Sequence, residues 1–139
     1  MTVYTKKIVL PKTHELDIIN ITDRVQLEVE RSGIKNGIAH AFVIGSTGSI
    51  VMLEYEPGLV ADVKTALERI VPSSVEYEHQ RLWHDWNGHS HIRASLLGPS
   101  MSVPIQAGVL LLGTWQQMVY VELDQKPRNR EVAITVIGE

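Results

Sequence analysis

The chain has 139 residues, 44% of them hydrophobic, and a formal net charge of −3. This length and composition fit one ordinary globular domain, and the negative charge argues against a nucleic-acid or anionic-membrane partner. The chain has no cysteine, which excludes disulfides, thiolate zinc sites and a cysteine nucleophile.

Neither a secretion signal nor a membrane span is evident in the sequence. The first ten residues include two lysines but no long apolar stretch or small-residue cleavage site. The apolar run at 109–113 is far too short to cross a bilayer. We therefore expect a soluble cytoplasmic protein.

The first part of the chain predicts two strands and a helix. Residues 3–10 and 15–21 mix β-branched and polar residues in the manner of short strands. A threonine cap, helical spacing and a terminal glycine predict a helix over 22–33. Apolar residues also alternate within this segment, so a strand is the alternative.

The middle of the chain predicts two more strands and a second helix. The apolar runs 37–44 and 50–55 have strand length and flank the small-residue segment 45–49. Apolar residues at helical spacing predict a helix over 59–71, and Pro72 ends it.

The C-terminal part of the chain predicts strands alone. They lie at 91–97, 109–113, 116–123 and 131–137. Strands outnumber helices, and hairpin-length connections outnumber crossovers. The sequence therefore predicts an α+β fold with mostly antiparallel sheet, in a single domain over 1–139.

Four of the six histidines lie between positions 79 and 91: His79, His84, His89 and His91. On a predicted strand, His89 and His91 would point to the same face and could bind one metal ion, with His79 as a third ligand and His84 and Asp85 as nearby options. An open coordination position could then take water or a substrate oxygen. The alternative is a polar surface loop whose histidines only form hydrogen bonds.

Two segments are candidates for binding an anion. Ser46 and Thr47 lie in the small-residue segment 45–49, where hydroxyl and backbone N–H groups can hold a phosphate or carboxylate. Arg128 and Arg130 could bind phosphate bidentately from the last hairpin loop. A plain tight turn and solvated arginines are the alternatives.

Two further segments suit a pocket. Glu54 ends a predicted strand and is a candidate ligand or general base. Trp115 stands beside glycine and Gln116, a composition suited to a pocket wall on which a flat ring stacks. A solvated glutamate, and a tryptophan in the core or a subunit interface, are the alternatives.

Taken in order, these segments resemble the YjbQ-like family. The resemblance spans nearly the whole chain and is most specific in SHIRASLLGPS (90–100) and LGTWQQ (112–117). It implies two packed, mostly antiparallel sheets with two helices, assembled as a homotrimer. It also implies a pocket near subunit boundaries, lined by the histidine segment.

The resemblance further implies a weak thiamine-phosphate synthase. Such an enzyme joins hydroxymethylpyrimidine diphosphate to thiazole phosphate and releases diphosphate. The small phosphorylated substrates would require a divalent metal ion, zinc or magnesium, and no organic cofactor. The expected residues are Glu54 and Asn87 in catalysis, Ser46, Thr47, Trp115, Gln116, Arg128 and Arg130 on the substrate, and His79, His89 and His91 on the metal.

Position 45 departs from the family pattern. Many relatives carry histidine where this chain has Gly45, so His84 or His89 would have to substitute for it. Imidazoles favour zinc-like ions, whereas diphosphate departure usually employs magnesium held by oxygens. A metal-dependent hydrolase and a non-catalytic trimer that binds a small anionic metabolite are therefore the alternative functions.

Overall fold

Alternating apolar residues build two antiparallel sheets. The computed structural model describes residues 1–139. Its strands are β1 (Thr2–Val9), β2 (Ile18–Asn20), β3 (Gly37–Val43), β4 (Gly48–Leu53), β5 (Ser100–Gln106), β6 (Val109–Leu110), β7 (Gln117–Glu122) and β8 (Glu131–Gly138). One sheet has the order β1-β8-β3-β5-β6 and the other β2-β7-β4, and every pairing is antiparallel. The predicted α+β class with two sheets is confirmed.

Four helices accompany the sheets, where the sequence predicted two. They are α1 (Thr22–Ser32), α2 (Pro57–Ile70), α3 (Glu78–Trp83) and α4 (Gly88–Leu97). No helix is both long and apolar enough to cross a membrane.

Local signals in the sequence fix the ends of the two predicted helices. The helix α1 ends at Gly33, which adopts a left-handed conformation (φ 73°) and donates its N–H to the carbonyl of Glu30. The helix α2 begins at Pro57, and the side chain of Glu56 accepts the N–H groups of Gly58 and Leu59. Both helices are confirmed, and the alternative strand over 22–33 is wrong. The predicted threonine cap of α1 is also wrong, because Ile21 occupies the cap position and no side chain caps the helix.

The three-stranded sheet is buried on both faces, which explains the run of buried residues in β7. Met118 and Tyr120 belong to a large core with α1 and the five-stranded sheet. Val119 and Val121 point the other way, into a smaller core with residues of α2 and α4. Because successive strand residues face opposite sides, both sets must be apolar.

The predicted strand over 91–97 is wrong, because this segment is helix α4. A short apolar run does not distinguish a strand from a buried helix. Here Ala94 and Leu97 pack into the smaller core at helical spacing. The strand β5, which the sequence analysis missed, contains Pro104. Proline is tolerated there because β6 pairs only with Ile105 and Gln106.

Candidate functional site

Helices α3 and α4 bring two of the clustered histidines together. The rings of His79 and His91 have centroids 4.6 Å apart and are tilted by 58°. The Nε2 atom of His79 lies 3.0 Å from Oδ1 of Asp85 and 3.2 Å from its Oδ2. With Asn87, these residues form what we call the histidine site (His79, Asp85, Asn87 and His91).

The short connection between α3 and α4 shapes this site. His84 and Trp86 both adopt left-handed backbone conformations (φ 57°), so the chain turns sharply on either side of Asp85. The carboxylate of Asp85 thereby reaches back to His79. The carbonyl of Asn87 accepts the N–H groups of residues 90 and 91 and so starts α4.

Gly88 lets the two helices approach closely. A Cβ atom at this position would lie 2.5 Å from Oε1 of Gln80 and 2.7 Å from Cβ of Tyr77. Both distances are too short for real atoms, so a larger residue would push α4 away from α3. The glycine therefore helps hold His79 and His91 at their observed separation.

Asn87 is almost fully buried and lies against hydrogen-bond acceptors of His79 and Asp85. The amide position that faces His79 lies 3.0 Å from its Nε2, 3.0 Å from Oδ1 of Asp85 and 3.3 Å from Oδ2. With its NH₂ group in this position, the amide donates to His79 and to Asp85. Asn87 therefore fixes the orientation of both side chains.

His91 is held in its neutral form. Burial, followed by the proximity of His79, lowers the pKa of His91 from its ordinary value. The carboxylates of Asp124 and Asp85 oppose this shift without cancelling it, and Arg128 adds to it. At neutral pH the ring therefore has a free lone pair for a metal ion or a proton.

His89 does not join the histidine site. Residues two apart on a helix are separated by about 200°, so His89 and His91 leave α4 on opposite sides. His89 is buried, and its Nε2 lies 2.8 Å from Oε1 of Glu15. The expectation that His89 and His91 share a face fails because it assumed a strand.

A buried ionic network lies near the histidine site. Arg130 donates to both carboxylate oxygens of Glu122, each at 2.7 Å, and to the hydroxyl of Thr47 at 2.8 Å. Thr47 in turn donates to Asp124 at 2.9 Å, and Arg128 pairs with Asp124 at 2.7 Å. Thr47 and Arg130 are thus engaged inside the protein, whereas Arg128 is partly exposed.

The donors of this network keep its carboxylates ionised. Burial alone would raise the pKa of Glu122, but hydrogen bonds from Arg130, Thr13 and a backbone N–H outweigh burial and lower the pKa. The pKa of Asp124 is also lowered, because backbone and side-chain donors outweigh its burial. The network is therefore a fixed, fully paired support beside the histidines.

Ser46, the other small residue predicted to bind substrate, lies apart from the histidine site. Ser46 is exposed and lines a separate pocket of about 270 Å³ with Ser95 and Pro99. A Cβ atom at Gly45 would lie 2.6 Å from Nη1 of Arg130. A histidine at this position would therefore require Arg130 to move.

Glu54, Trp115 and Gln116 share a second pocket, of about 410 Å³. It lies where Leu53 of β4 pairs with Gln117 of β7, whereas the histidine site lies towards the end where Gly48 pairs with Glu122. Five residue steps along a strand span about 17 Å. Within one chain, the structure keeps these predicted residues away from the histidines.

The sequence offered Asp85 as a nearby option for a metal ligand, and the structure pairs it with His79. Its signal was its place among the clustered histidines, but proximity in sequence does not say which histidine a carboxylate meets. The structure contains no group of three or more His, Asp or Glu side chains arranged to hold a metal ion. A metal ion at the histidine site would therefore need the ring of His91 or the amide of Asn87 as a third donor beside His79 and Asp85.

The fold and this site define a class: a two-sheet α+β domain with an imidazole–carboxylate site between two short helices. The family model described as "UPF0047 protein YjbQ-like" matches residues 6–139. The chain belongs to the YjbQ/UPF0047 family, as the sequence resemblance indicated.

Relatives and solved structures agree with this assignment. A UPF0047 protein of Methanothermobacter thermautotrophicus is 41% identical over 139 residues, covering 100% of this chain and 95% of the relative. The chain is similar in structure to a YbjQ-like protein of unknown function from Sulfolobus solfataricus, with a TM-score of 0.92, 38% identity and 99% of each chain covered. A hypothetical protein from Aeropyrum pernix gives a TM-score of 0.87 at 28% identity, with 100% of both chains covered.

Proposed function

We propose that this protein is a metal-dependent hydrolase of a small phosphorylated or otherwise anionic molecule, with the metal ion held at the histidine site. The observation that carries the proposal is the convergence of His79 Nε2 and the Asp85 carboxylate, 3.0 Å apart, with the ring of His91 4.6 Å from that of His79. Two ligands at right angles around an ion, each about 2.1 Å from it, are about 3.0 Å apart. This spacing supports a common ion, with the nearby ring of His91 as a further ligand.

The donor atoms favour a zinc-like ion over magnesium. Imidazole nitrogen with carboxylate and amide oxygen suits zinc or another first-row transition ion, whereas magnesium prefers oxygen ligands and retained water. When bound, such an ion polarises a substrate oxygen and lowers the pKa of bound water. The protein's own contribution is to fix the donors, since Asp85 and Asn87 both contact His79 and limit its rotation.

Arg128 is the residue best placed to bind the anionic part of the substrate. Its guanidinium lies close enough to influence the pKa of His91 and is partly exposed. Its partner Asp124 also accepts a hydrogen bond from Thr47. Arg128 can therefore rotate towards an anion without leaving Asp124 unpaired. Arg130 and Thr47 serve instead to hold Glu122 and Asp124 in place.

Thiamine-phosphate synthase activity, which the resemblance implies, is the second proposal. The exposed ring of Trp115 supports it, because a flat pyrimidine can stack there. This reaction would require Trp115 of one chain to approach the histidine site of another, as a homotrimer could allow. The imidazole-rich donor set supports it less well than hydrolysis.

Hydrolysis is tested with the metal-free protein, reloaded with zinc, manganese or magnesium and assayed on p-nitrophenyl phosphate and a panel of phosphate esters. We expect zinc- or manganese-dependent turnover that His79→Ala lowers at least about 100-fold. The matched control is His14→Ala, since His14 is exposed and outside the site. Formation of thiamine phosphate from its two precursors is measured in parallel. Metal or phosphate binding without turnover would reject both reactions in favour of a non-catalytic binding protein.

The predicted homotrimer is part of this proposal. Light scattering should give three times the chain mass of 15.6 kDa. If the protein is a monomer, Trp115 cannot reach the histidine site of another chain. It would therefore count against the synthase and leave the hydrolase proposal standing.

A further inference from the structure

The pocket at the far end of the three-stranded sheet has a definite chemistry of its own. It has a volume of about 410 Å³, and its lining includes Met52, Leu53, Glu54, Trp115 and Gln116. Glu54 is the only charged residue in the lining, so the pocket carries a formal charge of −1 near neutral pH. The proposed hydrolase reaction leaves this pocket without a role.

Trp115 lies in a turn that two hydrogen bonds close. The side-chain oxygen of Gln116 accepts the N–H of Gly113 at 2.8 Å, and the Gln116 backbone N–H donates to the Gly113 carbonyl at 3.0 Å. Trp115 lies inside this closed turn with 71% of its surface exposed. An indole so exposed gains little from packing, whereas a turn held from both sides limits the entropy lost on binding.

The polar groups around the ring are also free. Glu54 is exposed and takes part in none of the ion pairs within the chain. The oxygen of Gln116 is occupied by the turn, which leaves its NH₂ group available as a donor. No lysine or arginine lines the pocket to compete for the carboxylate.

An aromatic face and a carboxylate in one pocket select for positive charge. The face of an indole attracts a cation through its quadrupole, and a neighbouring carboxylate adds a direct Coulomb attraction. An anion would be repelled by Glu54 and meet no compensating basic group. A neutral ring could stack on Trp115 but would gain nothing from Glu54.

We propose that the Trp115–Glu54 pocket binds a small, flat organic cation, stacked on Trp115 and paired with Glu54. The Gln116 amide donates to a carbonyl or similar acceptor on the ligand. The rest of the ring contacts the pocket lining at Met52 and Leu53. Contacts from so few residues support only millimolar binding by a fragment of this kind.

The test uses the full-length protein in its native assembly and the probe 1-methylnicotinamide, a pyridinium cation with an amide acceptor. Nitrogen–proton NMR spectra show the indole N–H signals of the three tryptophans, and Trp115→Phe identifies the signal of Trp115. We expect saturable shifts of that signal in the millimolar range. Neutral nicotinamide, which has the same shape without the charge, should bind at least about fivefold more weakly.

Two variants separate the proposed site from general surface binding. Glu54→Gln should weaken 1-methylnicotinamide binding about fivefold while leaving nicotinamide binding unchanged. Trp83→Phe is the matched control, because Trp83 is 70% exposed but outside the pocket, and should leave the probe's affinity unchanged. Equal binding of the neutral and charged probes, equal shifts at all three indoles, or no effect of Glu54→Gln would each overturn the proposal. None of these outcomes depends on the metal ion or on hydrolysis.

Discussion

The two ends of the three-stranded sheet carry opposite kinds of chemistry. At one end, the histidine site lies close to the buried, fully paired network of Glu122 and Arg130. At the other end, Glu54 and Trp115 are exposed and have no partners that fix their side chains. Polar groups at the histidine end therefore stabilise the fold as well as form the site. Substitutions of Glu54 or Trp115 at the other end should leave the stability of the fold unchanged.

The largest expected effect comes from removing the buried cation at the histidine end. Arg130→Met leaves the carboxylate of Glu122 buried without its charged partner. Removing one member of a buried ion pair typically costs about 3–5 kcal/mol. Urea unfolding should therefore show a strongly lowered midpoint.

Arg81→Met is the matched control for this substitution. Arg81 pairs with Glu76 and Glu78 on the exposed surface, where ion pairs contribute little. Its unfolding midpoint should match that of the unaltered protein. Equal losses in the two variants would contradict the distinction between buried and exposed ion pairs.

The two faces of α4 should separate stability from metal binding. His89→Ala removes a buried partner of Glu15 and should cost about 1–3 kcal/mol in urea unfolding, with zinc affinity unchanged. His91→Ala should instead lower zinc affinity about 10–100-fold in calorimetric titration and alter stability less. A loss of zinc affinity in His89→Ala similar to that in His91→Ala would show that both histidines serve the site.

Acid should destabilise the protein through the network beside the histidine site. The pKa values of Glu122 and Asp124 are lowered in the folded protein, so the unfolded chain takes up protons first as the pH falls. Their contribution is complete above the ordinary carboxyl pKa of about 4 and is lost as the pH falls through the lower folded values. The urea concentration at the unfolding midpoint, measured from pH 7 down to pH 3, should decrease once the pH is below about 4. Glu122→Gln should make this decrease less steep. An unchanged slope in that variant would assign acid sensitivity to other groups.

The smallest effect is expected at the exposed end of the sheet. Trp115→Ala removes a side chain that is largely in solvent, so the free energy of unfolding should change by no more than about 0.5 kcal/mol. Thermal unfolding by circular dichroism at two protein concentrations checks this. A marked, concentration-dependent loss of stability would show instead that Trp115 packs against another chain.

Local signals in the sequence predicted the parts of the fold that depend on local physics. The helical spacing in α2, the stop at Gly33 and the alternation in β8 each act within a few residues, so those elements were predicted correctly. The helix α4 was missed because burial of Ala94 and Leu97 against a distant core decides its conformation. Tertiary contacts of this kind are invisible to local periodicity.

The same limit applies to the candidate site. The sequence identified the cluster that contains His79 and His91. Excluding His89 from the site required knowing which face of α4 each histidine occupies. Glu54 and Trp115 were grouped with the histidines by the family resemblance, while the pairing of β4 with β7 separates them within the chain. Residue types were thus predictable and their grouping was not.

The central claim is that the histidine site holds a metal ion. The most direct measurement is the zinc content of the purified protein by elemental mass spectrometry, after loading with zinc and exhaustive dialysis. A single zinc ion per chain that is lost in His79→Ala and retained in His14→Ala is the predicted result. Protein that retains no zinc, or that retains it equally in both variants, would contradict the account.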